Sequence, residues 1–350
     1  MAKTTPLTRM AERLLHLPVP GGAKIMEVCG SHTVAIRRFG VQRLLPAGVK
    51  LVSGPGCPVC VTPDLFIDEA VALARQGVIV ASFGDMLRVP GSRSSLERER
   101  AAGGDIRAVY SPLDALRLAE DSGRETVFLA VGFETTAPAI AVAALLAVEK
   151  KLANFSLLTS LRLVPPALKA LVSESSGLAG FLLPGHVSAI IGRQAYGFLA
   201  ASRLPGVIAG FHAEDIISSL GLLLEMHNKG IYEIVNNYRR VVRDEGNERS
   251  RSVLAEVFTP SDAEWRGLGS IPASGLVLRP AFAALDARQR FTIHADSAPR
   301  RKGCRCGDVL RGLIDPPACP LFNRSCRPDH PVGPCMVSSE GSCSAWVTYG

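Results

Sequence analysis

Nine cysteines carry most of the chemistry legible in this sequence. Six fall in the last 47 of its 350 residues: Cys304, Cys306, Cys319, Cys326, Cys335 and Cys343. Such clustering marks a metal site, with zinc and an iron–sulfur cluster as the two candidates. Structural zinc takes four thiolates, commonly supplied as tight pairs. Here the only tight pair is Cys304-Arg-Cys306, and the remaining cysteines are widely and irregularly spaced. Wide spacing suits a cuboidal cluster, which is larger than one ion and takes one thiolate per iron. Spacing alone leaves both candidates open.

The other three cysteines lie near the N-terminus. Cys29 stands between an apolar run and a helix expected to begin near Ser31. Free N–H groups at a helix start stabilise a thiolate, so Cys29 is expected to have a lowered pKa and to be reactive. Cys57-Pro-Val-Cys60 is a CxxC in a Gly-Pro-Gly turn. Such a pair holds a metal or cycles between dithiol and disulfide, and with no second pair in this half, redox cycling is the expectation. His32 and His186 fall in loops after strands, where a histidine serves as hydrogen-bonded scaffold or as a catalytic group. Glu134, Thr135 and Thr136 suit either chemistry or capping of the next helix. Asp85, with Arg88 nearby, suits an ion pair.

These residues follow a series of short β-rich apolar runs that alternate with helical periods, the pattern of parallel α/β sheets. Expected strands are 24–28, 50–53, 78–82, 106–110, 126–131, 156–160, 180–183 and 206–209. Expected helices include 64–75, 112–120, 136–150, 166–173 and 187–199. Ligands in open α/β sheets bind beyond the carboxyl ends of strands. The clusters Cys29–Thr33, Gly54–Cys60, Gly84-Asp85, Gly132–Thr136 and Pro184–His186 all occupy that position. From about Glu214 the pattern turns to helices (215–229, 232–242 and 249–258). A Gly/Pro-rich stretch (267–280) and the cysteine tail follow. The expected division is an α/β domain over 1–124, a second over 125–213, and a helical and irregular cluster domain over 214–350.

Composition is that of an ordinary globular chain, with 47% hydrophobic and 20% charged residues. The net charge is +7, and its clearest local excess is Arg288, Arg290, Arg300, Arg301, Lys302 and Arg305. That stretch suits a solvated face, or cations offsetting an anionic four-thiolate cluster. No RNP, helix-turn-helix or aromatic-interleaved pattern supports nucleic-acid binding. No apolar run reaches membrane-spanning length and no signal peptide is apparent, so a cytoplasmic location is expected. In that reducing compartment the cysteines serve metal or redox chemistry rather than a disulfide framework.

Taken together, the motifs resemble the HypD family of [NiFe]-hydrogenase maturation factors. The strings that carry the resemblance are Glu27-Val-Cys-Gly-Ser-His-Thr33, Gly54-Pro-Gly-Cys-Pro-Val-Cys60, Phe83-Gly-Asp-Met-Leu-Arg-Val-Pro-Gly91 and Val109-Tyr-Ser-Pro-Leu-Asp114. Gly132-Phe-Glu-Thr-Thr-Ala-Pro138, Pro184-Gly-His-Val-Ser188, Cys304-Arg-Cys-Gly307 and Pro331–Gly341 continue it. The resemblance implies two Rossmann-like parallel-sheet domains with an iron–sulfur domain. The family's Cys-x14-Cys-x6-Cys-x16-Cys pattern selects Cys304, Cys319, Cys326 and Cys343 as ligands of a [4Fe-4S] cluster, leaving out Cys306 and Cys335.

It also implies a task. The protein would be a redox-active scaffold, not a conventional small-molecule enzyme, on which the Fe(CN)2CO group is assembled. A HypC-type chaperone and a HypE-type cyanide donor would be the partners, and the chain would be a monomer outside that complex. Cys29 would hold the transient iron, Cys57 and Cys60 would be the redox pair, and His32, Glu134 and Thr135 would belong to the same site. A cluster-dependent protein disulfide reductase is the alternative. Two stretches depart from the family pattern. Gly210-Phe-His212 stands where Gly-Phe-Glu is expected, and Ser160–Pro166, with Leu161-Arg162, lacks a histidine associated with relatives.

Overall fold

The structure, a computed structural model, describes residues 5–174, 177–295 and 303–350. All eight expected strands form, to within about two residues at each end. They are β1 (Ala23–Glu27), β2 (Val49–Ser53), β3 (Ile79–Ser82), β4 (Ile106–Ala108), β5 (Thr126–Gly132), β6 (Phe155–Arg162), β7 (Gly180–Pro184) and β8 (Gly206–Ala209). Three more follow: β9 (Ile234–Asn236), β10 (Phe258–Trp265) and β11 (Gly269–Leu278). Every residue of β5 is buried, as expected of a central parallel strand covered on both faces.

The strands pair into two sheets. One is wholly parallel, in the order β2-β1-β7-β8-β9. The other has the order β10-β11-β6-β5-β3-β4, parallel from β6 to β4, with β10 and β11 added antiparallel. The fold class is therefore α/β with two parallel-dominated sheets.

The boundary expected at residues 124/125 does not separate them. β5 pairs with β3, in register from Ile79 opposite Thr126. The chain leaves the first sheet after β2, builds β3–β6 in the second, returns for β7–β9, and goes back for β10 and β11. Consecutive strands are usually neighbours, and a division by sequence order assumes that they stay so. The expected 214–350 domain is split in the same way, because β9 completes one sheet while β10 and β11 extend the other.

Other expectations also need correction. Residues 187–199 do not form one helix. A helix over Gly185–Ile191 stops at Gly192, and after a 3-10 turn a short helix covers Gly197–Ala201. Gly192 has φ +80°, and a Cβ there would lie 2.3 Å from the Asp244 carbonyl oxygen. The segment 232–242 is not helical. Ile234–Asn236 joins the sheet edge, and Asn236 then accepts a hydrogen bond from the Tyr238 N–H and donates one to the Val242 carbonyl, a local bonding pattern that competes with helix. The Gly/Pro-rich stretch is the second strand of the β10–β11 hairpin. Its edge partner tolerates Pro260 because an edge strand has N–H positions that need no ladder partner.

Side chains from both sheets share one core, which joins Met26 and Val28 to Phe133, Trp265, Cys57, Cys60 and Cys335. Trp265 is fully buried, stacks on Phe133 and donates to Ser274 Oγ at 2.8 Å. Among the described residues no helix is long and apolar enough to cross a membrane.

Gly192→Ala tests the chain reversal that ends the Gly185–Ile191 helix. It is expected to destabilise the fold by about 1–3 kcal/mol, from overpacking against backbone and a positive φ. A denaturant midpoint equal to that of the native chain would show that the turn adapts.

Candidate functional site

Each sheet has one point where strand order reverses. In the first sheet it lies between β1 and β7, so the segments leaving these strands, Cys29–Thr33 and Gly185-His186, face each other there. In the second it lies between β3 and β5, followed by Gly84-Asp85 and Gly132–Thr136. Such crevices are where α/β sheets bind ligands. The tail segment Ser338–Gly341 contacts both. Ser31 Oγ donates to Glu340 Oε1 at 2.5 Å, and Ser338 Oγ donates to Asp85 Oδ2 at 3.0 Å. Asp85 is thus tied to the tail by a hydrogen bond, in place of the expected ion pair.

Cys29 occupies the N-cap of the Gly30–Arg38 helix, as expected, but its thiol is not acidified. Burial pushes its pKa up to about 12. The His32 and Ser31 N–H groups pull downward, while Glu340 and Glu27 add to the rise. Desolvation of the thiolate outweighs the helix start. Glycines make this packing possible. A Cβ on Gly30 would lie 2.5 Å from Glu340 Cβ, and one on Gly56 would lie 2.3 Å from the Cys29 nitrogen. Glu27 closes the turn from behind, accepting from the Cys29 N–H at 3.1 Å and from Thr33 Oγ1 at 2.5 Å. Burial raises its own carboxyl to about 8.

Gly30 N–H donates to the Gly56 carbonyl at 2.9 Å, which brings the CxxC loop beside Cys29. Cys57 caps the short Pro58–Val61 helix, and the Cys60 thiol lies 2.7 Å from Cys57 Sγ. Both are free and buried. The two sulfurs are thus adjacent, the arrangement that a CxxC spacing gives at the start of a helix. Burial drives the Cys60 pKa well up, assisted by hydrogen bonds with Cys335 and Cys57. The contact with Cys335 joins the N-terminal pair to the tail.

All six tail cysteines line a single cavity, completed by Val309, Leu321, Phe322, Gly333 and Met336. Cys343 is held neutral by burial first and then by the closeness of Cys335, Cys304, Cys326 and Cys319. Cys304 is raised chiefly by its hydrogen bond with Cys306 and then by burial. The Val332 N–H donates to Cys326 Sγ at 3.3 Å, and a Cβ on Gly333 would lie 2.8 Å from Cys304 Sγ. Soft sulfur donors in an apolar shell select zinc, copper(I) or iron–sulfur over hard cations. Among the described residues no three Cys, His, Asp or Glu side chains are grouped to hold one metal ion. Of the basic stretch noted in the sequence, Arg288, Arg290 and Arg305 are paired with Glu69, Glu125 and Asp308. Arg300, Arg301 and Lys302 lie outside the described residues.

The remaining expected residues are placed unequally. His32 is buried and donates from Nε2 to the Gly210 carbonyl at 3.0 Å, and Nδ1 has no hydrogen-bond partner among the described residues. Burial lowers its pKa to about 4, so it is a neutral imidazole. Phe211 is sandwiched between His32 (centroids 4.7 Å apart) and His186 (4.0 Å). Glu134 is buried and accepts from the Val164 N–H at 2.9 Å, with Oε2 unpartnered among the described residues. Thr135 is exposed, and Thr136 supplies no side-chain cap. Neither threonine therefore caps the following helix. Both departures from the family pattern have structural roles. His212 begins the Ala213–Lys229 helix, where Asp215 completes the cap, and Arg162 donates to the Glu264 carbonyl at 2.8 Å, holding the hairpin. Sequence reasoning missed Glu27, Glu340 and the Cys60–Cys335 contact. The two glutamates stand inside quoted strings, but only the fold brings them to Cys29.

Burial raises the Glu134 carboxyl from 4.5 to about 7. The neutral form belongs to the folded state, so its contribution is complete below pH 4.5 and is lost as pH rises through about 7. Relative to Glu134→Gln, the native chain is expected to lose on the order of 2–3 kcal/mol of stability between pH 4.5 and pH 8. Denaturation midpoints of both proteins across that range read the difference. A constant gap would show that Glu134 is ionised in the fold.

The HypD family model, described as the Hydrogenase formation hypA family, matches residues 8–350. Hydrogenase maturation factor HypD of Rhizobium leguminosarum bv. viciae is 45% identical over 337 residues, covering 93% of this chain and 88% of the relative. HypD of Azotobacter vinelandii is 45% identical, with 93% and 89% covered. HypD of Escherichia coli (strain K12) is 41% identical over 350 residues, with 98% and 94% covered. With the same motifs gathered at the switch points and in the tail cavity, and the match running along nearly the whole sequence, the chain belongs to the HypD hydrogenase formation family.

Proposed function

We propose that the chain is a hydrogenase maturation factor that serves as a redox-active scaffold for the Fe(CN)2CO group. The observation that carries this reading is the line of sulfurs from the tail cavity through Cys335 to Cys60 and Cys57, ending beside the Cys29 turn. In this reading Cys29 holds the iron of the cargo. Its high thiol pKa means that the proton leaves when iron arrives, since a thiolate is the ligand. His32, neutral and anchored at Nε2, lines the same turn. Glu27 and Glu340 flank it.

Cys304, Cys319, Cys326 and Cys343 would hold a [4Fe-4S] cluster. The all-thiol, apolar cavity supports that assignment. When bound, such a cluster supplies single electrons at low potential. The Cys57–Cys60 dithiol gives two electrons and two protons on closing to a disulfide. Two electrons are what release of cyanide from a thiocyanate-bearing HypE-type partner requires, leaving a thiolate and cyanide. Cys335, in contact with Cys60 and facing the cavity, is placed to connect the two. A HypC-type chaperone would complete the iron's coordination in the cytoplasm.

Burial of Cys57 and Cys60, at 4% and 0% exposure, counts against the alternative of a free-standing protein disulfide reductase. Thiol–disulfide exchange needs a line of attack at sulfur.

The test is the infrared spectrum of the chain co-expressed with a HypC-type partner and purified anaerobically. Bound cyanide and carbon monoxide bands are expected, together with about four irons and four sulfides per chain beyond the cargo. Cys29→Ala is expected to abolish the infrared bands and leave the cluster iron in place. Bands that persist in Cys29→Ala would remove Cys29 from the proposal, and a native complex without them would end the scaffold reading.

A further inference from the structure

The turn between β10 and β11 reaches across to the tail. There Gly267, at φ +82°, meets Gly307 backbone to backbone. A Cβ on Gly267 would lie 2.6 Å from Gly307 Cα, and one on Gly307 would lie 2.6 Å from the Gly267 oxygen. This clamp fixes the neighbouring Arg266 against the Cys304-Arg-Cys306 segment. Arg266 is only 9% exposed. Its backbone N–H donates to the Val61 carbonyl at 2.8 Å, and its guanidinium pairs with Asp64, the first residue of the Asp64–Arg75 helix.

One side of this guanidinium lacks a partner: Nη1 is buried and makes no hydrogen bond among the described residues. Leaving such a donor unsatisfied is costly, and more so on a cation. Arg266, Asp64, Cys304 and Cys306 line one surface cavity, and Cys304 and Cys306 also line the thiol cavity. The two cysteines are therefore the wall between them. Arg305, at the same wall, is already paired with Asp308 at 2.6 Å and is half exposed. A buried donor left open on a cation, in a cavity it lines together with Cys304 and Cys306, calls for an acceptor there. Thiolates of the cluster proposed above would supply it.

We infer that Arg266 is the buried counter-cation of the tail thiolate centre, and that Arg266 and Asp64 together set its reduction equilibrium. The inference rests on the cluster assignment proposed above. Uptake of one electron from an external reductant makes the centre more negative by one charge, with no proton moved and no bond to sulfur broken. Arg266 stabilises the reduced form and Asp64 opposes it. Both are positioning residues, since neither touches the reacting sulfurs of Cys57 and Cys60.

The test is a potentiometric titration, followed by electron paramagnetic resonance, of the anaerobically reconstituted full-length chain. Iron and sulfide are counted beforehand. Arg266→Met is expected to disfavour reduction about tenfold, which is a potential lower by about 59 mV for one electron. Asp64→Asn is expected to shift it the opposite way, and Arg266→Lys to restore most of the native value. A structural role alone would not give opposite signs. Intact clusters with unchanged potentials in Arg266→Met and Asp64→Asn, or shifts of the same sign, would overturn the inference. Should Arg266→Met fail to fold, an unshifted Asp64→Asn overturns it by itself. A native chain that takes up no iron and sulfide fails earlier, and brings down the cluster assignment along with this inference.

Discussion

The contact of the Ser338–Gly341 segment with the two switch points is the constraint on which the rest of the site depends. Ser338 reaches Asp85 at the second sheet, and Glu340 reaches Ser31 at the first. Each switch point alone is an open crevice with a few polar groups at its rim. With the tail across both, Cys29 is covered, the CxxC pair is walled in, and Cys335 is brought against Cys60. The contact is supported nearby by the Arg37 guanidinium over the Trp346 ring, 3.2 Å from its centroid. Pairs of this kind contribute on the order of 0.5–2 kcal/mol. The apolar core shared by the two sheets supplies far more, and the polar contacts decide alignment.

Covering the site also sets its charge state. Cys29, Glu27 and His32 lie together at the first switch point and Glu134 follows β5 at the second, and burial acts on all four in the direction of neutrality. Cys29 and Glu27 are pushed up, His32 is pushed down, and Glu134 is held near neutral pH. A helix start was expected to give Cys29 an acidic thiol. Partial charges of about half a unit do not offset removal of water from a full charge. At the Cys29 turn the resting groups are therefore uncharged. An arriving metal, which binds thiolate and expels the proton, is the kind of event that changes it.

How much of this was legible in the sequence follows from the range of each interaction. The first eight strands were legible because Val, Ile and Leu runs flanked by glycine and proline need no distant information. Their sheet membership was not, because β5 pairs with β3 through contacts that no local pattern encodes. The β10–β11 hairpin was hidden by Pro260, Pro272 and Gly275, which depress strand propensity yet are tolerated at and near an edge. At the site, residue types were legible and their convergence was not. Cys57 and Cys60 announce themselves by spacing, whereas Cys335, 275 positions beyond Cys60, meets it only in the fold. Arg162 and His212, in the two stretches that depart from the family pattern, are a hairpin anchor and a helix start.

The interleaving of the two sheets bears on how the protein is made. β1 and β2 leave the ribosome early but cannot begin to extend their sheet until β7, which starts 127 residues after β2 ends, is synthesised, with β8 and β9 later still. Meanwhile the edge of β1 that β7 will occupy stays open, a strand edge able to pair with the wrong chain. The tail thiols follow the strands of both sheets in the chain. The order of synthesis thus leaves the cysteine tail to be packed onto sheets whose strands are already made, and keeps Cys29 uncovered until Glu340 has emerged.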